Sequence, residues 1–259
     1  SCGSILQSDR RRFSPLPPAC RQWVNNEMLQ LEKSGVVKRA STAKFTKADL
    51  EIKGKKVAYI MGAGDNVPES LKQMGYEVTL LLPEAITKES LIGYDAVIMG
   101  IRAYNVLDAL YLKQEILFDF VGGGGNMIVQ YNTTGRLTVK NVAPYSLRIS
   151  RDRVTDENAK VKFINATHPV LNYPNKITQK DFEGWVQEQG LYYPDEWAKE
   201  FEPILSSHDK GESAKKGGLL VAKYGKGYYI YTGLSFFREL PEGVSGAYRL
   251  MANMIAIGK

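Results

Sequence analysis

The sequence is short of the residues that build catalytic and metal centres. It holds two cysteines, Cys2 and Cys20, and two histidines, His168 and His208, in 259 residues. Both cysteines lie near the N-terminus and make no disulfide framework. The histidines are far apart with no cysteine beside them, whereas zinc centres need clustered nitrogen and sulfur ligands. No metal site and no cofactor is expected. Long apolar runs are missing as well: none reaches the roughly 18–20 residues of a membrane-spanning helix, and no apolar signal segment is visible. The last shortage is of net charge over most of the chain. The formal charge is +6, but residues 1–50 hold nine Lys/Arg against four Asp/Glu and carry +5 of it. The rest is nearly neutral and offers no basic face for a phosphate backbone, so nucleic acid is not an expected partner.

What is present is alternation. Residues 1–50 read as a basic, Pro-punctuated arm followed by a short helix with Val24, Met28 and Leu31 on one face. From residue 51 onward, the short apolar run Val57–Met61 reads as a buried parallel strand, and Val78–Leu82, Ala96–Gly100 and Asn126–Gln130 as the second, third and fourth strands of a parallel sheet. Between them lie a helix starting near Pro68 and stopping at Gly75, and a second, amphipathic one over Leu107–Val121. Strand and helix in alternation at this spacing predict a three-layer, doubly wound, mainly parallel α/β domain of flavodoxin-like order. An irregular insertion over about 133–213, of short strands and polar stretches, interrupts it. A hairpin (Gly218–Tyr224 and Tyr228–Gly233) and a helix over Gly246–Ile257 close the chain.

Ligands of such sheets lie at the carboxyl ends of the strands. The first loop, Gly62-Ala63-Gly64-Asp65, lacks the third glycine of a dinucleotide fingerprint, since Val67 stands there. It reads as a capped turn, with its N–H groups a small-anion site as the alternative. The third strand ends in Gly100-Ile101-Arg102-Ala103-Tyr104-Asn105, and no Cys or Ser occupies positions 96–108. A nucleophile held beside a base is therefore absent. Arg102 instead offers a guanidinium fork, for a ligand or for a structural ion pair, and Tyr104 an aromatic plate at a cleft mouth, with Asn105 beside it. Gln130 and Asn132, after the fourth strand, either orient sugar hydroxyls or satisfy loop backbone. Arg153 and Glu157 belong to a charged stretch that is either a solvated loop or a source of acids. His168 precedes Pro169 as a loop cap or a general base. Trp185 and Glu188 belong to a segment dense in aromatics and carboxylates, the mixture that grips carbohydrate rings and also the mixture of a packed subdomain. Arg238 precedes the last helix and completes the binding candidates.

Seven segments carry a resemblance: MGAGDNVPESL (61–71), YDAVIMGIRAYN (94–105), GGGGNMIVQYN (122–132), ISRDRVTDENA (149–159), HPVLNYPNKI (168–177), DFEGWVQEQGLYY (181–193) and YTGLSFFRELPEGVSGAYRLMAN (231–253). Together they resemble the C-terminal class I glutamine amidotransferase-like region of bacterial PIG-L (LmbE-like) deacetylases and, more distantly, ThuA-like domains linked to carbohydrate metabolism. In the PIG-L family an N-terminal zinc domain removes acetyl groups from N-acetylglucosamine-type sugars. Its His-Pro-Asp-Asp motif has no counterpart here, because His168-Pro169 runs on into Val170-Leu171. The resemblance thus implies a non-catalytic accessory or carbohydrate-binding domain, with a deacetylase domain of the same parent chain as partner. It also implies the bacterial periplasm or export, with the cytoplasm as the alternative. Two other readings are a carbohydrate-processing enzyme using His168 with Asp152, Asp156, Glu157 or Glu188, and a purely structural or oligomerisation domain.

Overall fold

A computed structural model describes residues 49–259. The expected N-terminal arm and helix, with Cys2 and Cys20, lie outside the described residues. Residues Leu50–Lys259 form one compact unit. Its centre is a seven-stranded sheet of β1 (Lys56–Ile60), β2 (Glu77–Leu80), β3 (Ala96–Met99), β4 (Asn126–Gln130), β8 (Phe201–Pro203), β10 (Leu219–Tyr224) and β11 (Gly227–Thr232). The order is β2-β1-β3-β4-β11-β10-β8. The first five run parallel, in the 2-1-3-4-5 order of a flavodoxin-like sheet with β11 as fifth strand, and β10 turns back antiparallel between β11 and β8.

The central strands β1, β3 and β4 are apolar on both faces because helices cover both, whereas the edge strand β2 is largely exposed. Alternate residues point to opposite sides. Val57, Tyr59, Ala96, Ile98, Ile128 and Ile230 face α1 (Val67–Met74) and α5 (Ser245–Ala256), which contribute Leu71, Leu250, Met251 and Met254. Ala58, Ile60, Val97, Met99, Met127, Val129, Tyr229 and Tyr231 face α3 (Gln114–Gly122), with Leu117 and Val121. A three-layer α/β sandwich follows. Two short helices lie at loop ends, α2 (Ala103–Val106) and α4 (Phe236–Glu239).

One expectation needs correction. The stretch Leu107–Val121 is not one helix: a 3-10 turn over Asp108–Lys113 precedes α3. The break falls where Lys113 Nζ donates to the Ile86 carbonyl (3.0 Å) and the Gln114 side chain donates to the Asn141 carbonyl (2.5 Å), tying both residues to neighbouring segments. The 133–213 stretch holds short strands among irregular loops, as its pattern predicts. It contains paired antiparallel strands β5 (Leu147–Val154) and β7 (Gly190–Trp197), the small pair β6 (Lys162–Phe163) and β9 (Leu205–Ser206), and β8, which joins the central sheet.

Candidate functional site at the carboxyl edge of the sheet

The chain leaves β1 toward β2 on one side and crosses to β3 on the other, so the loops after β1 and β3 flank the point where the winding reverses. Beneath them runs a buried hydrogen-bond chain. Gln130 Nε2, at the end of β4, donates to the Tyr59 hydroxyl (2.9 Å), which donates to Asp65 Oδ1 (2.6 Å). Asp65 also accepts from the backbone N–H of Val67 (3.1 Å) and, through Oδ2, of Ile101 (3.3 Å). One carboxylate therefore caps α1 from the residue before its N-cap, Asn66, and pins the end of β3. Burial and the adjacent Asp65 charge push the Tyr59 phenol well above its ordinary pKa, which keeps it a donor.

Above this chain sits Arg102. Its backbone is left-handed (φ 57°) and its N–H donates to the Tyr131 carbonyl (2.8 Å). The strand-to-helix elbow so formed projects one side chain outward, the geometry that presents a nucleophile in other α/β proteins. Here it presents a guanidinium that is exposed and has no hydrogen bond or ion pair with any described residue. The non-glycine residues with positive φ among those described are Arg102, Gln187 and Tyr192, and all three meet at this edge. The Tyr131 ring stacks on Tyr192 (centroids 5.9 Å, 10° between planes) and lies 5.3 Å from Phe237. The Arg238 guanidinium covers Phe237 at 4.8 Å, donates to the Gln187 side chain, and reaches Glu188 Oε1 at 3.2 Å. Arg153 reaches the other oxygen of Glu188 at 2.7 Å. Backbone strain of this kind persists only where the surroundings impose it, and it gathers at ligand sites.

Four of the sequence candidates, Arg102, Arg153, Glu188 and Arg238, thus come together. Others do not face a cleft. Tyr104 is fully buried, so its ring is core and not a plate at the mouth. Asn105 staples α2 to the next loop through the Thr133 N–H (2.8 Å) and the Arg136 carbonyl (3.0 Å). Asn132, completely buried, accepts from Tyr104 N–H and donates to the Gln130 carbonyl. Trp185 is 3% exposed, stacked on Phe182 and edge-on to Phe236, and so belongs to the core.

Glu157 is half-buried and lies within electrostatic range of Glu239. His168 accepts from the Val170 N–H through Nδ1 (3.1 Å), capping a 3-10 turn, and burial lowers its pKa. It lines a cavity with Glu202, Lys223 and Tyr228. Tyr228 pairs with Asn126, the first residue of β4, so that cavity is at the amino edge and His168 is not joined to Arg102 or Glu188.

The sequence reading held Tyr192 only as one of the aromatics of the 181–197 segment, and it missed Phe237 and Glu239. Glu239 is fully buried, accepts from the Val186 N–H (3.0 Å), and is pushed up to about 8 by burial. Its neighbours in sequence, Ser235 and Arg238 among them, gave no signal of that burial. Among the described residues no three His, Cys, Asp or Glu side chains gather to hold a metal, and no helix is long and apolar enough to cross a membrane.

No protein-family model and no curated protein matches the chain. Solved structures do. Two cytoplasmic proteins of Salmonella typhimurium, STM3548 and STM1381, superpose with TM-scores of 0.51 each. Their identities are 13% and 12%, over 78% and 77% of this chain and 97% and 98% of theirs. The likeness is one of fold. A ThuA-like protein of Bacteroides uniformis aligns more loosely, at TM-score 0.46 and 15% identity, over 83% of this chain and 94% of its own.

Proposed function

We propose that this chain is a non-catalytic binding domain that takes a carbohydrate at the carboxyl edge of its sheet. As the sequence resemblance implies, it would serve as the amidotransferase-like accessory domain of a PIG-L-type sugar N-deacetylase exported to the periplasm. The observation that carries the reading is the elbow itself, which holds a guanidinium unpaired among the described residues where a reaction would need a nucleophile. Beside it, Tyr192 and Phe237 are half-buried aromatic rings, and the C–H face of a pyranose packs on such rings while its hydroxyls take charged hydrogen bonds. The enzyme reading loses support because His168 stands at the other edge of the sheet from Arg102 and Glu188. The test is an NMR titration of the full chain with N-acetylglucosamine, its oligomers and a panel of other simple sugars. Shifts should centre on Tyr131, Tyr192 and Phe237, and Phe237→Ala should remove them. If no saccharide moves these resonances, or if the chain alone releases acetate, the reading is wrong.

A second reading, an oligomerisation surface, is favoured by one observation. Leu82, Ile92, Tyr111 and Leu112 are each more than 60% exposed, on segments tied together by the Lys113–Ile86 hydrogen bond and the Lys88–Asp119 ion pair. Sedimentation of the wild type against Leu112→Glu decides it: a dimer that becomes a monomer supports the surface, and a monomer throughout removes it.

A further inference from the structure

The carboxyl-edge cluster has a charge imbalance that bears on what it binds. Arg153 and Arg238 share a single carboxylate, Glu188, whose two oxygens are both engaged. Asp65 beneath the elbow is likewise committed, to the Tyr59 hydroxyl and to two backbone N–H groups. Glu239 is fully buried and turned to the Val186 N–H. Against these stands Arg102, exposed and without a carboxylate among the described residues. Arg238 adds a buried Nε with no acceptor among the described residues. Both arginines stand beside Tyr131: the Arg102 N–H donates to its carbonyl, and the Arg238 guanidinium covers Phe237, whose ring lies 5.3 Å from the Tyr131 ring. A guanidinium held out on a left-handed backbone is entropically and sterically costly, and a charged fork left unpaired there forgoes what its geometry offers an anion.

The kind of anion follows from the backbone. Phosphate sites on parallel α/β sheets use free N–H groups at a helix start. Here those of residues 101–105 are all taken: Ile101 by Asp65, Arg102 by the Tyr131 carbonyl, Ala103 by the Gly100 carbonyl, Tyr104 by Asn132, and Asn105 by the Arg102 carbonyl. The helix they open, α2, is four residues long. What remains is a planar two-pronged donor suited to a planar monoanion. We propose that the sugar is acidic, a uronic-acid-type saccharide. Arg102 takes its carboxylate, and the ring lies against Tyr192 and Phe237. This rests on the carbohydrate reading above and narrows it to a substrate class.

Calorimetric titration of the full chain with glucuronate, glucose and glucose 6-phosphate tests it. Glucuronate should bind roughly tenfold to a hundredfold tighter than glucose, the weight of one charge-assisted fork. That preference should shrink as salt is raised and fall to about parity in Arg102→Gln, and the fork rather than the charge is tested by Arg102→Lys, which should recover only part of it. Arg102→Gly, which suits the backbone, repeats the experiment should the Gln variant melt early. Equal affinity for glucose and glucuronate in the wild type would overturn the acidic-sugar inference and leave carbohydrate binding standing. Tightest binding of glucose 6-phosphate would overturn it in favour of a phosphate. Binding of none of the three, nor of the neutral panel, would remove both readings.

Discussion

At position 102 stability and binding pull in opposite directions. A left-handed backbone costs a residue with a Cβ about 1–2 kcal/mol that glycine avoids. Arg102→Gly should therefore melt no earlier than the wild type, and up to about 1 kcal/mol more stable, while losing the ligand. A variant that unfolds would show the guanidinium to be structural. The Glu188 triad is asymmetric in another way. Glu188 is 6% exposed whereas Arg238 and Arg153 are 32% and 55% exposed. Removing the less exposed of the carboxylate's two partners with Arg238→Met should cost roughly 2 kcal/mol or more, and Glu188→Gln less, because the arginines can turn to water. Denaturant melts that rank the two in reverse would contradict this. Glu239 supplies a pH dependence. Its folded pKa of about 8 stands above the roughly 4.3 of an unfolded chain, so between these values the folded state keeps a proton that the unfolded state has released. Stability from this group should fall as pH rises from about 4.5 to about 8 and level off above. Glu239→Gln should flatten that slope in thermal melts at pH 6 and 8.5, and parallel profiles for the two proteins would refute it. None of these three residues announces its environment in the sequence. Arginine at 102 gives no hint of its φ, and Glu188 and Glu239 resemble any surface acid until their neighbours are placed.

Elements, by contrast, were legible where burial is two-sided. Val57–Ile60, Ala96–Met99 and Met127–Val129 are apolar at every position because helices cover both faces, and such runs stand out in a sequence. The strand over Leu147–Val154 did not stand out. Arg148, Arg151 and Arg153 face solvent along it, and its pairing with β7 shifts register three times, so no clean alternation of apolar and polar residues survives. The contacts between elements are the more sensitive points. A Cβ on Gly62 would stand 2.1 Å from the Ile101 carbonyl oxygen and 2.8 Å from Ala103 N. Both are backbone atoms that cannot give way without moving the elbow. Gly62→Ala should cost roughly 2 kcal/mol or more and abolish sugar binding, whereas normal binding would show the elbow to be compliant. On the opposite edge, Asn253 of α5 accepts from the Asn175 N–H and donates to the Val170 and Asn175 carbonyls, all buried. Asn253→Ala should cost on the order of 2–3 kcal/mol by stranding these groups.

For the whole molecule, the question is where the folding unit begins. Glu51 exchanges two backbone hydrogen bonds with the Asn175 side chain, at 2.9 and 2.8 Å. A chain starting at Ala48 should therefore keep a single cooperative melt, whereas one starting at Lys55 should melt measurably lower. Aggregation of the longer form would show that residues further upstream complete the core. The parallel fold and its order followed from the alternation of strand and helix signals, but the meeting of Arg102 with Arg153, Glu188 and Arg238 did not. It depends on which end of the sheet each distant loop reaches, and that is set by chain reversals that the local sequence does not encode. The same long-range closure has a consequence in time. β4 pairs with β11, and Tyr228 meets Asn126 across 102 intervening steps of chain. At roughly 5–20 residues per second on the ribosome, the flank of β4 waits on the order of 5–20 seconds for its neighbour. Throughout that wait Met127, Ile128 and Val129 belong to an open, apolar sheet edge of the kind that recruits other chains. A nascent chain stalled near residue 213 is thus a seed for aggregation, and it is the arrival of the final hairpin that ends the hazard.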